Sequence, residues 1–212
     1  VGLWNGAGGA GLPKYYDVIP TAGEQVWDDS DLDDNGLPTH DNGNMLGYNG
    51  TFGAIGVSLA YVNGGASAAG GAASDSSWAV EYNGLMDGLV LGIAQGEDGE
   101  TVDLQTMWAK YTSGAVTVGY QISDRDNTGS TADEESNHIG ASFAVNDNLS
   151  ISAGRHEVDM GAGKVDETST GVSASYTSGG VTVGFVANST EDVAGTAGSD
   201  DSYREIAVSF AF

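Results

Sequence analysis

From Ile55 to Tyr61 the chain alternates without a break: Ile55, Val57, Leu59 and Tyr61 are apolar, while Gly56, Ser58 and Ala60 between them are small. The same period of two recurs in Trp78, Val80, Tyr82, in Val116, Val118, Tyr120, Ile122, and in Ile139, Ala141, Phe143, Val145. It returns in Leu149, Ile151, Ala153 and in Val181, Val183, Phe185, and ends the chain in Ile206, Val208, Phe210, Phe212. Such alternation predicts strands with one apolar and one polar face, and no stretch fits an amphipathic helix. About eleven strands are expected, near 44–51, 53–62, 76–84, 88–96, 102–111, 114–123, 136–145, 148–157, 168–176, 180–188 and 202–212. One is awkward: Trp108 and Tyr111 demand opposite faces, which predicts a bulge or a misplaced strand.

The connections alternate as well. Short turns at "NGLMDG", "TSGA", "NDN" and "TSGG" interleave with long polar stretches such as "NGGASAAGGAASDS", "DRDNTGSTADEES", "VDMGAGKVDE" and "STEDVAGTAGSDDS". Short at one end and long at the other describes an up-and-down meander with two unlike ends. The echo of "YTSGAVTVGYQ" in "YTSGGVTVGFV" fits repeated hairpins, without the fixed period of a solenoid.

Composition narrows the function. Thirty acids against six bases give a net charge of −24, which leaves no basic footprint for nucleic acid. Cysteine is absent, so disulfides and thiolate metal sites are excluded. No apolar run reaches the ~18 residues of a transmembrane helix. The chain opens on Val1 rather than Met, which suggests that upstream sequence was removed or lies outside it.

Alternation alone fits either a soluble β-sandwich with an apolar core or a membrane barrel with an apolar outside. Three features favour the barrel. The residues between the apolar positions are mostly Gly, Ser, Thr and Ala, which suit a watery lumen. Tyr48, Tyr82, Tyr111 and Tyr176 sit at strand ends beside short turns, as an interfacial girdle requires. The chain also ends on a bare Phe after an apolar stripe, where most termini fray.

With its strand–turn–strand–loop alternation over 44–212 and the terminal "AVSFAF", the chain resembles the sixteen-stranded, trimeric general porins of Gram-negative bacteria, particularly the acidic alphaproteobacterial kind. The resemblance implies an all-β, antiparallel up-and-down transmembrane β-barrel in the bacterial outer membrane. Residues 1–212 form one domain in this reading, with residues 44–212 supplying the strands and extracellular loops. Residues 1–43 resemble the family's third loop, which folds into the barrel and narrows the pore. About five further strands are then expected upstream, because bacterial barrels have even strand numbers. Ile206, Val208, Phe210 and Phe212 become the strand that closes the barrel. A homotrimer in contact with outer-membrane lipid and lipopolysaccharide is implied by the resemblance alone.

The opening segment is dense in carboxylates. Glu24, Asp28, Asp29, Asp31, Asp33 and Asp34 are candidates for one side of a pore constriction, where crowded like charge favours cations. The bases of the opposite wall cannot be named: Arg155 and Arg204 fall on the apolar parity of their strands, and Lys110 lies in the awkward one. A second reading is calcium, a hard cation for oxygen ligands. Asp31, Asp33, Asn35 and Gly36 match the first half of a D-x-[DN]-x-[DN]-G loop, with Asp41 as a further ligand, although position twelve is Asn42 rather than Glu. No other cofactor is expected.

Other motifs fail their context. "GAGGAG" at 6–11 is not followed by a helix, so it is no dinucleotide loop. Asn49-Gly50-Thr51 and Asn188-Ser189-Thr190 are glycosylation triplets without meaning in a bacterium. His40, His138 and His156 lack triad partners at suggestive spacing, and no nucleophile–base pair appears, so an enzyme is not expected. The expected function is a water-filled, cation-preferring channel for passive diffusion of small hydrophilic solutes. The competing reading is a secreted acidic calcium-binding β-protein, such as an adhesin or surface-layer module. A sugar-specific barrel would need an aromatic ladder, for which Trp108 is the only candidate.

Overall fold

The computed structural model describes residues 2–5, 9–27, 37, 44–62, 75–97, 101–128 and 132–211. Its strands are β1 (Gly2–Asn5), β2 (Asn44–Phe52), β3 (Ile55–Val62), β4 (Asp75–Tyr82), β5 (Leu89–Glu97) and β6 (Val102–Ser113). They continue as β7 (Val116–Asn127), β8 (Glu134–Asn146), β9 (Leu149–Asp159), β10 (Glu167–Ser178), β11 (Val181–Glu191) and β12 (Asp201–Phe210). The strand order is the sequence order, so the protein is all-β, antiparallel and up-and-down. The eleven expected strands are all present. β1, a four-residue strand pairing Gly2 with Gly47 through Asn5 with Asn44, adds one inside the segment read as loop. No helix of the described residues is long and apolar enough to cross a membrane, which says nothing about strands.

Register follows from turn chemistry. Phe52 faces Ile55 across the two-residue turn Gly53-Ala54. Ser178 faces Val181 across Gly179-Gly180, whose φ values of 60° and 82° are the paired left-handed conformations of a twist-matched hairpin turn. At the opposite end several strands run further than the alternation does. β7 continues through Asp124 to Asn127, β8 begins at Glu134, and β11 continues to Glu191. There both faces carry polar side chains, so the backbone ladder persists where the hydrophobic pattern has stopped. β6 is unbroken, with Trp108 buried and Tyr111 half-buried on the opposite parity, so no bulge is needed.

The chain divides into two compact units, and in each the usual placement of apolar and polar residues is inverted. In the first (residues 1–18, 35–109 and 122–135), Phe52, Ile55, Leu59 and Tyr82 are exposed, while Ser58 and Thr106 are fully buried. In the second (residues 19–34, 110–121 and 136–212), Val118, Phe143, Phe185 and Ile206 are exposed, while His138, His156, Ser169 and Thr190 are buried. A sandwich core would bury the first kind of residue and expose the second. An apolar face of this extent needs a non-aqueous neighbour. Of the expected girdle, Tyr82 and Tyr176 are exposed on this face, and Tyr48 and Tyr111 are half-buried.

Candidate functional site

The small-residue face of each unit is covered by the opening segment. In the first unit Gly11 has φ +67°, and a Cβ there would come within 2.2 Å of Ser77 Oγ. This tight approach lets the Gly11 amide donate to Ser58 Oγ at 2.8 Å and the Leu12 amide to Ser77 Oγ at 3.1 Å. Ser58 Oγ donates on to Asn49 Oδ1 at 2.6 Å, and Asn49 Nδ2 donates to the Gly9 carbonyl at 2.9 Å. Wall side chains thus satisfy backbone groups of residues 9–12, which lie in no strand, as buried amides require.

A 3-10 turn, Leu12–Tyr15, then sets Leu12 and Tyr15 into an apolar cluster with Leu37, Ala79, Ala94, Leu104 and Trp108. Tyr15 stacks on Trp108 with centroids 4.4 Å apart, and its hydroxyl donates to Glu81 Oε2 at 2.9 Å. Lys14 Nζ donates to the same hydroxyl at 3.1 Å. Burial, then the hydrogen bond and the negative charge of Glu81, push the Tyr15 phenol above its ordinary pKa. Trp108 lies over Gly92, where a Cβ would sit 2.0 Å from its ring. Trp108 therefore faces the segment and is covered by it, which removes the one aromatic of the proposed sugar ladder from a solute's reach.

In the second unit residues 19–27 lie on β7–β11. Thr21 Oγ1 lies 3.3 Å from Ser152 Oγ and 3.2 Å from Ser173 Oγ, and those two serines are 2.6 Å apart. The Ala22 amide donates to Ser152 Oγ at 2.9 Å, and Asn188 Nδ2 donates to the Gln25 carbonyl at 3.1 Å. A Cβ on Gly119 would meet Pro20 at 2.6 Å, and one on Gly140 would meet Ile19 at 2.5 Å. The small wall residues are thus also the bed on which the segment rests. Trp27 packs against His138 and His156, with centroids at 4.2 and 4.5 Å.

Of the expected constriction carboxylates, Glu24 lies half-buried in this segment, with its carbonyl accepting from Thr21 Oγ1 at 2.9 Å. Asp28, Asp29, Asp31, Asp33, Asp34, Asn35 and Asp41 lie outside the described residues, and so does Phe212. Ile206, Val208 and Phe210 are exposed on β12, which pairs with β11. Arg155 and Arg204 are exposed on the apolar parity, as their positions suggested, and Arg155 pairs with Glu157. By alternation with Trp108 and Ser123, Lys110 and Arg125 fall on the segment-bearing face. Sequence reasoning did not find the serine bed, the Tyr15 anchor or the histidine pair. The only signal was small polar residues recurring at one depth on successive strands.

The comparisons agree with this geometry. A family model described as Gram-negative porin matches residues 2–194. No curated protein sequence matches the chain significantly. Among solved structures, a porin refined at 1.8 Å superposes with a TM-score of 0.70 at 17% identity, covering 99% of this chain and 76% of that one. The anion-selective porin of Comamonas acidovorans gives 0.67 at 14% identity, covering 80% and 59%. OpdO of Pseudomonas aeruginosa gives 0.66 at 14% identity, covering 81% and 59%, so the alignment takes in less than two thirds of that relative's length. The chain belongs to the Gram-negative porin family and is a β-sheet protein of the bacterial outer membrane.

Proposed function

We propose that the chain supplies wall and constriction to a water-filled channel through which small hydrophilic solutes, cations foremost, diffuse passively. The observation that supports this is the opening segment: residues 9–27 are bound along the small-residue face of strands whose other face is apolar. A segment held on the wet face of a membrane wall narrows the water beside it without blocking it. Residues 1–43 act as the pore-constricting loop, and 44–212 as wall and extracellular loops.

Cation preference follows from charge. With a net charge of −24, Glu24 and the run Asp28, Asp29, Asp31, Asp33 and Asp34 hold a negative potential over the constriction. The Comamonas relative is named as anion-selective, so shared fold does not fix ion preference and side-chain charge must. Calcium held by Asp31, Asp33, Asn35 and Asp41 would relieve repulsion within the run. The channel works as a homotrimer in lipid and lipopolysaccharide, and it carries out no catalysis.

The test is a planar bilayer carrying protein purified from its native membrane. The reversal potential is recorded under a potassium chloride gradient, with and without a calcium chelator. Discrete current steps with a cation-selective potential are expected, and the chelator should shift that potential. Silence from a protein that dissolves without detergent would overturn the channel, and an anion-selective potential would overturn the role given to the acidic run.

A further inference from the structure

The chain has only six bases, yet two of them, Arg155 on β9 and Arg204 on β12, are exposed on the outward, apolar face. Arg155 pairs with Glu157, whereas Arg204 has no hydrogen-bond or ion-pair partner among the described residues. Across the ladders Arg204 faces Ala187, then Val172 and Ala153. One step toward the short turns, Ile206 faces Phe185, then Ala174 and Ile151. One step the other way the row is Ser202, Ser189, Thr170 and Arg155. An unpaired guanidinium thus stands on the last apolar row, with hydroxyls above it and lipid-facing side chains below. We propose that Arg204, with Arg155, binds the phosphate of an anionic membrane-lipid headgroup on the outside of the wall.

A seat is present. A shallow hollow of about 420 Å³ has Thr170, Val172, Ala187, Ser189, Ser202 and Arg204 in its lining. Three hydroxyls and a guanidinium can all donate, which suits a ligand that only accepts. A guanidinium meets phosphate oxygens in two-pronged, charge-assisted geometry. Neighbouring strands lie about 4.8 Å apart, so the two arginines stand three spacings, roughly 14 Å, from each other across the sheet. Their long stems can close on one headgroup from both sides. The next step up is acidic, with Glu157 and Glu191 on either side of Thr168 in register. Those carboxylates repel an anion and confine it to the arginine level, beside the lipid. At that depth lipid phosphate is the counter-charge at hand. The site rests on the reading of this face as the lipid side of a channel wall, and it lies on the face opposite the opening segment, outside the constriction.

The experiment is native mass spectrometry of the whole protein, stripped of lipid in detergent and titrated with phosphatidylglycerol. A first lipid retained by each chain is expected. Arg204→Gln should weaken that binding roughly tenfold or more, and Arg155→Gln should weaken it less, because Glu157 already shares that guanidinium. Arg204→Lys keeps the charge but loses the paired donors, so it should fall between wild type and Arg204→Gln. Lys164→Gln removes a charge between β9 and β10, outside the hollow, and should bind as wild type does. Equal binding by wild type and Arg204→Gln, equal retention of uncharged diacylglycerol, or displacement of the lipid by inorganic phosphate alone would each overturn the site. Conductance is read separately in the bilayer: a conducting protein that retains no lipid loses only this site, and a silent one that retains it loses only the channel reading.

Discussion

Tyr15 lies nearly flat on Trp108, the ring planes 23° apart, and donates a hydrogen bond from its hydroxyl to Glu81. One side chain thereby ties the opening segment to two strands, β6 through stacking and β4 through a charged acceptor. Tyr15→Phe keeps the stack and loses the bond, which should cost about 1 kcal/mol. Tyr15→Ala loses both and should cost about 3 kcal/mol. The melting temperature in detergent reads the difference. Equal losses in the two variants would show that stacking contributes nothing.

Tyr15 also sets an alkaline limit. Its phenol is raised above the ordinary value by burial first, then by Glu81. A group whose folded pKa exceeds its unfolded one contributes fully below the unfolded value, near pH ~10, and loses that contribution as pH climbs from there. Docking should therefore be insensitive to this phenol at neutral pH and weaken only in strong alkali. Above about pH 10 the wild-type melting temperature should fall more steeply than that of Tyr15→Phe. Parallel curves would refute the anchor.

Gly92 tests the same stack from below. An added methyl would stand 2.0 Å from the Trp108 ring, so Gly92→Ala must lift the indole and with it Tyr15. Overpacking of this kind costs about 1–3 kcal/mol. Gly114→Ala is the comparison, since its φ is +58° but nothing lies within 4 Å. That variant should show only the left-handed strain, about 1–2 kcal/mol. Near-ultraviolet circular dichroism should change in Gly92→Ala alone.

The strands were legible because lipid imposes a period of two on every wall segment. Val116, Val118, Tyr120 and Ile122 are sufficient to identify β7 as far as Ile122. Its last turn-ward residues, Asp124 to Asn127, were not legible, because beyond the lipid the ladder continues without a hydrophobic face. β1 escaped because four residues are too short for alternation to register. The docking of the opening segment was hidden for a different reason. Tyr15 meets Glu81 across 66 positions and Gln25 meets Asn188 across 163, and such contacts depend on register between strands rather than on any local pattern. The histidines looked ordinary for the same reason, since His138 and His156 become a pair only through the pairing of β8 with β9.

The hydroxyl trio of Thr21, Ser152 and Ser173 should behave as one unit. Its members lie within 3.3 Å of one another, so removing any one hydroxyl unbalances the others. In a double-mutant cycle, Thr21→Val with Ser152→Ala should show a coupling of about 0.5–1 kcal/mol. Thr21→Val with Thr182→Ala, whose hydroxyl pairs with Thr177, should be additive. Open-channel current noise should rise in the coupled pair as the segment loosens.

The outward face offers the sharpest contrast with a soluble β-protein. Phe185 is 41% exposed and faces Ala174 and Ile206 across its ladders, amid other apolar residues. Glu191 shares its parity at the polar end of β11. In water, arginine at so exposed a position would be nearly neutral or would improve solubility. In lipid its cost depends on depth, about 2–4 kcal/mol near the midplane and ~0–1 near the interface. Phe185→Arg should therefore be strongly destabilising and Glu191→Arg mild, as read from urea-dependent folding of the whole protein into phospholipid vesicles. Equal and small effects at both positions would mean that this face meets water, and the membrane assignment of the wall would fall with them.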